Sequence, residues 1–239
     1  MAKKGRKQKK CKAGGWKRVA AGPKAVAEAE AFLAHIEKSR RSYNREPVKL
    51  SPLQQQLVEQ IEVAFADVQC LDEPYVMLCG EAMDDYMSKE VLDVLAAREV
   101  RYDWHDIPDD LLSTCPTTLC FVGPEAYRFL IPRFMIGSMH EVVQVYPGLS
   151  CKAREELKDY VRNQLSLLNE AQKQCVSDFL NLEHVNEETG ELQGRSVFLP
   201  WELDEYGTHY DEQKVTPREF GLMLVQRYAE RMGLKAGGR

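Results

Sequence analysis

At four points the chain places a proline directly after a residue suited to cap a helix: Gly22-Pro23, Ser51-Pro52, Gly123-Pro124 and Thr216-Pro217. Proline breaks a helix interior but fits its first turn, where the missing N–H has no intrahelical partner. Each pair therefore marks a helix start, and each is followed by apolar residues at helical spacing. Val26, Ala29, Leu33 and Ile36 predict a helix from Pro23 to about Ser39, with Arg40, Arg41 and Arg45 on its polar exit. After Ser51 come Gln54, three residues on, and then Leu53, Leu57, Val58, Ile61, Phe65 and Val68, a capping box leading into an amphipathic stripe. Tyr127, Leu130, Ile131, Phe134, Met135 and Met139 follow Pro124, with Pro132 expected to kink or split that helix. Thr216 with Glu219 repeats the capping box ahead of Phe220, Leu224 and Tyr228.

Weaker signals fill the intervals. Glu73-Pro74 and Gly80 read as a short link, and Asp84 and Asp85 as acids at a helix N-terminus preceding Met87, Val91, Val94 and Leu95, with Arg98 at the close. Pro108-Asp109 opens a short helix carrying Leu111 and Leu112, and Thr117 to Val122 reads as an extended apolar run. Residues 151 to 164 carry only a thin apolar stripe. Asn169 caps a better helix through Ala171, Cys175, Val176 and Phe179. Residues 186 to 194 predict a polar loop, and Val197 to Trp201 a short strand or an apolar anchor. No internal repeat appears. The predicted fold class is mainly α: a compact helical domain with at most a small β element, behind a disordered basic N-terminal tail. The expected organisation is a tail at 1–22, a helix and linker at 23–50, a helical core domain at 51–183, and a C-terminal extension with loop and final helix at 184–239.

Charge divides the chain. The net of -5 combines +11 over residues 1–50 with -16 over residues 51–239. Residues 1–24 hold ten Lys or Arg, no acid, and only Trp16 and Val19 as large apolar groups, too little to offset the entropy of ordering. Lys3, Lys4, Arg6, Lys7, Lys9, Lys10, Lys17 and Arg18 would release counterions from nucleic acid, and Trp16 would stack on a base, giving salt-sensitive binding without sequence choice. A solubilising extension, or an arm folding back on the acidic body, fits the same composition.

Seven scattered cysteines, an odd number, read as reduced thiols packed like small apolar residues, which places the chain in a cytoplasm. Their spacings argue against zinc, because Cys115 and Cys120 have no second pair. None of the five histidines has an i, i+4 partner, so no metal site is expected, and Gly14-Gly15 lacks the strand and helix that a phosphate loop needs. No cofactor is implied. The basic start lacks the apolar segment of a secretory signal, and no apolar run approaches the roughly 20 residues that cross a bilayer.

Three linked segments carry a family likeness: Gly80 to Tyr86 around Asp84-Asp85-Tyr86, Trp104-His105-Asp106-Ile107-Pro108, and Phe121 to Met135. Leu168 to Gln172 with Phe179-Leu180 form a fourth. Over residues 57–183 the chain resembles a bacterial family of uncharacterised domains with D-D-Y, W-x-x-I-P and F-R-F-Y-L-P-A-F-M-like segments. Leu130-Ile131 and Arg133 depart from that pattern. The resemblance implies a domain without an assigned activity.

Two functional readings follow from the polar residues. If Asp84, Asp85, His105, Asp106, Glu125 and Arg128 converge, a carboxylate would orient His105 as a general base while Arg128 holds an anion, making a small hydrolase or anion-binding enzyme. Without a nucleophile spaced to a base, the same residues read as helix-capping acids and interhelical pairs, and the chain as non-enzymatic. The leading expectation is then a protein that binds another macromolecule, of the inhibitor or immunity type, probing a basic partner with its acidic body. Trp201, Tyr206, His209 and Tyr210, set among acids, are the candidate protein-binding edge.

Overall fold

The computed structural model describes residues 21–143, 162–195, 198–202 and 216–234. Within them lie α1 (Pro23–Ser42), α2 (Pro52–Ala64), α3 (Met77–Asp84), α4 (Lys89–Leu95), α5 (Asp109–Thr114), α6 (Pro124–Met139), α7 (Glu170–Leu182) and α8 (Pro217–Arg231). Short 3-10 turns cover Ala96–Arg98, Trp104–Asp106 and Thr118–Cys120. Among the described residues the sole β feature is one antiparallel bridge, Val185 to Leu192. The fold is mainly α, as the spacing predicts. The basic tail lies outside the described residues.

The cap chemistry read from sequence is realised atom by atom. The Ser51 hydroxyl accepts the Gln54 N–H at 3.2 Å while Gln54 Oε1 accepts the Ser51 N–H at 2.8 Å. Asn169 with Gln172, and Thr216 with Glu219, build equivalent boxes on α7 and α8. Such a cap is worth about 1 kcal/mol, so it sets where a helix begins more than whether the fold holds. Burial does the rest: α6 buries eleven of its residues, and α1, α2 and α7 add Phe32, Ile36, Leu57, Ile61, Val176 and Phe179 to one continuous core. α2 packs on α7, α1 on α4 and α5, α3 on the 118–120 turn, and α8 on α7.

Four local expectations need correction. Pro132 does not split its helix; α6 runs unbroken from Pro124 to Met139. A proline in a helix interior costs about 3 kcal/mol, whereas each large side chain fully buried along α6 contributes about 1.5–3 kcal/mol, and several do. The Thr117 to Val122 run is not extended: Thr118–Cys120 is a 3-10 turn, and burial falls on Thr118, Leu119 and Val122 instead of alternating. The supposed link around Gly80 is α3, a buried helix that lacks a side-chain cap of its own. Gly80 is where it meets the 118–120 turn, since a Cβ there would lie 2.7 Å from Thr118 Cγ2. Asp84 and Asp85 therefore end α3 and do not start a helix; Ser88 precedes α4.

Candidate functional site

His105 is the natural starting point, because its imidazole was the prospective base. It sits on the Trp104–Asp106 turn, which Asp103 caps by accepting the His105 N–H at 3.0 Å. The same Asp103 oxygen lies 2.5 Å from His105 Nδ1, and Glu62 Oε2 of α2 lies 2.5 Å from Nε2. Trp104 backs the ring, stacked at 3.6 Å between centroids, and its own Nε1 donates to the Phe65 carbonyl at 3.0 Å. Partial burial works against a charged ring, but hydrogen bonds to Glu62 and Asp103 outweigh it and hold the histidine above its usual pKa. Hydrogen bonds from His105 hold Asp103 below the usual carboxylate range. A general base needs a ring nitrogen free to take a substrate proton. Here both nitrogens are engaged, and the unit joins α2 to the turn.

The residues expected beside it are elsewhere. Asp106 is exposed and is not the group on the imidazole. Arg128 donates through Nε to Gln172 Oε1 at 3.2 Å, so it ties α6 to the cap of α7 and pairs with an amide where an acid was expected. Glu125 accepts the Leu71 and Asp72 N–H groups at 2.7 and 3.1 Å. Asp109, in the first turn of α5 as its position predicts, also pairs with Arg133 of α6.

Sequence reasoning missed the most heavily bonded carboxylate. Glu99 accepts N–H groups from Val76, Leu78 and Cys79 at 3.2, 3.1 and 2.9 Å, supplying from beyond α4 the cap that α3 lacks. Its carboxylate is enclosed although the residue keeps some exposure; burial drives its pKa up while the N–H bonds pull the other way. Arg101 turns back to donate to the Glu73, Pro74 and Ala96 carbonyls. Glu99, Arg101 and Glu125 thus satisfy the loop from Leu71 to Val76, whose backbone has no regular partner. These bonds join residues 20 to 54 positions apart, so no local pattern announces them.

A cleft of about 450 Å³ opens where α1, α3 and α5 end. Phe32 and Ile36 contribute its apolar surface, and Ser39, Ser42, Tyr43, Glu81, Asp85, Ser113 and Thr114 are among its polar lining. Glu81 is half-buried and accepts the Thr117 hydroxyl at 2.9 Å; burial raises its pKa against that bond. Arg45 and His35 line the same cleft and are exposed. Of the sequence candidates only Asp85 belongs to this lining.

At the C-terminal end Trp201 is half-buried, with its Nε1 donating to the Ser177 hydroxyl at 3.1 Å and Lys173 5.7 Å above its ring. Asp178, fully buried on α7, pairs with Arg231 of α8, and buried Arg195 pairs with Glu202. Gly221 meets the Arg195 backbone so closely that a Cβ would lie 1.9 Å from its carbonyl oxygen. Tyr206, His209 and Tyr210 lie outside the described residues, as do Lys3, Lys4, Arg6, Lys7, Lys9, Lys10, Trp16, Lys17 and Arg18.

Cys70, Cys79, Cys115 and Cys175 are buried free thiols, and Cys120 is free and exposed. Burial pushes the first three well up and Cys175 to about 12, leaving them protonated and poor nucleophiles. Among the described residues no three His, Cys, Asp or Glu side chains converge in a way that would hold a metal ion.

The fold and these contacts define an all-helical domain whose polar residues largely knit its elements together. The chain belongs to the Family of unknown function (DUF6714), whose model matches residues 53–210. Neither a curated protein nor a solved structure matches it.

Proposed function

We propose that this protein is a non-enzymatic binding protein whose acidic helical body engages a basic macromolecule. One observation carries the reading. Residues 51–143 hold 17 Asp or Glu against five Lys or Arg. Four of those five cations are engaged within the fold: Lys89 on Asp93, Arg101 on three carbonyls, Arg128 on Gln172 and Arg133 on Asp109. Meanwhile Glu59, Asp72, Asp84, Asp85, Glu90 and Asp106 are exposed. An uncompensated field of this kind steers an oppositely charged partner and rejects nucleic acid. An inhibitor or immunity-type role toward a basic protein fits these electrostatics. The saturated imidazole of His105 and the protonated buried thiols favour binding over catalysis. No helix of the described residues is long and apolar enough to cross a membrane, and the free thiols suit a reducing, cytoplasmic setting.

The test is titration of a labelled lysine-rich peptide, with a glutamate-rich peptide as control, at rising salt. Association should weaken as the Debye length falls from about 10 Å toward 3 Å between 0.1 and 1 M salt. Replacing Glu59, Asp84, Glu90 and Asp106 together by Lys should lower affinity at least tenfold while the helical circular dichroism stays unchanged. Equal binding by that variant, or a preference for the acidic peptide, refutes the reading.

A further inference from the structure

Three helices finish against one hollow. α1 ends at Ser42, α3 at Asp84 and α5 at Thr114, and residues from all three ends line the cleft described above. The last turn of a helix presents carbonyl oxygens and a partial negative charge, which favours a cation. Neither α3 nor α5 carries a basic residue in its last turn to answer that charge. Glu81 and Asp85 add carboxylates to the same wall, and the hydroxyls of Ser39, Ser42, Ser113 and Thr114 add further oxygens. Tyr43 is a second, independent pointer: its hydroxyl is buried without a hydrogen-bond partner among the described residues. Buried polar atoms are nearly always paired, so an unpaired one in a cleft wall marks a place for a donor or acceptor from outside.

We propose that this cleft binds a primary ammonium carried on an aliphatic stem, with Glu81, Asp85 and the surrounding hydroxyls receiving the ammonium and Phe32 and Ile36 packing on the methylenes. The volume of about 450 Å³ suits a small ligand or a single long side chain. Phe32 and Ile36, 4% and 5% exposed, offer apolar contact without room for a large hydrophobe. The absence of three converging ligand side chains among the described residues favours an organic cation over a metal ion. Arg45 is the opposing charge. Being exposed, it competes with the ligand instead of receiving part of it. The proposal goes beyond the acidic-surface reading, since the ammonium comes equally from a free amine or from a lysine of a bound polypeptide.

The experiment titrates pentylamine, pentanol, pentanoate and an acetyl-lysine-N-methylamide peptide mimic into the full chain. Binding is read by calorimetry and by amide shifts of Ser113 and Asp85. Both amines should bind at this place, and pentanol and pentanoate should not. Shifts from the lysine mimic alone identify a polypeptide source, and shifts from pentylamine alone a free amine; either supports the site. Glu81→Gln should cut affinity at least tenfold, and Asp85→Asn, at an exposed position that leaves the fold intact, at least threefold. Arg45→Ala should tighten binding. Silence from both amines, unchanged affinity in the two acid variants, or weaker binding in Arg45→Ala overturns the proposal. Because the fourfold charge reversal above leaves Glu81 and Asp85 in place, failure of this site and failure of the acidic-surface reading give separate signatures.

Discussion

Two carboxylate clamps hold this fold in contrasting surroundings. Glu99 is enclosed and binds three backbone N–H groups at the start of α3, while Glu62 and Asp103 grip His105 at a surface where all three side chains are 42% to 55% exposed. Both join segments far apart in the chain. The difference lies in the alternative that each group has. Water replaces the partners of an exposed ion pair at little cost, so such pairs are worth about 0–1 kcal/mol. Buried N–H groups have no substitute, and each left unpaired costs about 1–3 kcal/mol. Hydrogen-bond length is a poor guide to worth; access to water is the better one.

The largest test removes the enclosed clamp. Glu99→Ala should destabilise the protein by about 3–5 kcal/mol in urea unfolding, from several N–H groups losing their acceptor. Glu99→Gln, whose amide oxygen still accepts, should lose distinctly less. Equal losses would show that charge, not N–H satisfaction, governs the site. Glu125→Ala probes the middle of the scale: its two N–H acceptances lie at an exposed position, so a loss of about 1 kcal/mol is expected.

The smallest effect belongs to His105→Ala, about 0.5–1 kcal/mol, and its signature is pH. Because the folded histidine is held above its ordinary pKa, its contribution is fully present below the unfolded value of about 6.5 and disappears as pH rises through the higher folded value. Asp103, held below its ordinary value, contributes above about 3.9 and fades as pH falls through the lower folded value. The stability difference between wild type and His105→Ala should therefore peak at about pH 5–6 and shrink on both sides. A flat difference across pH 4–9 would remove the ion-pair account and leave only stacking on Trp104.

Legibility in the sequence followed the range of the interaction. Ser51, Asn169 and Thr216 announce their helices because a cap is written within four residues. Trp104, Phe129 and Phe134 read as core and are core, at 1%, 0% and 0% exposure. α3 escaped notice because its cap comes from Glu99 and its glycine is explained only by Thr118 across the interface. His105 drew attention by type, but its partners Glu62 and Asp103 replaced the Asp106 that sequence adjacency suggested. The cleft had no signature at all, since its walls come from residues 32–45, 81–85 and 113–114.

By itself the amino-acid sequence determined a mainly helical chain, where its strongest helices begin, which faces go inward and how charge divides between its first fifty residues and the rest. Those are properties of short windows and of composition, and they survive any arrangement of the helices. Tertiary structure alone decided which carboxylates are enclosed, which nitrogen meets which acid, and that three helix ends share one hollow. Such outcomes depend on where packing brings distant residues together, and desolvation, which sets what each charged group is worth, exists only once that packing is complete.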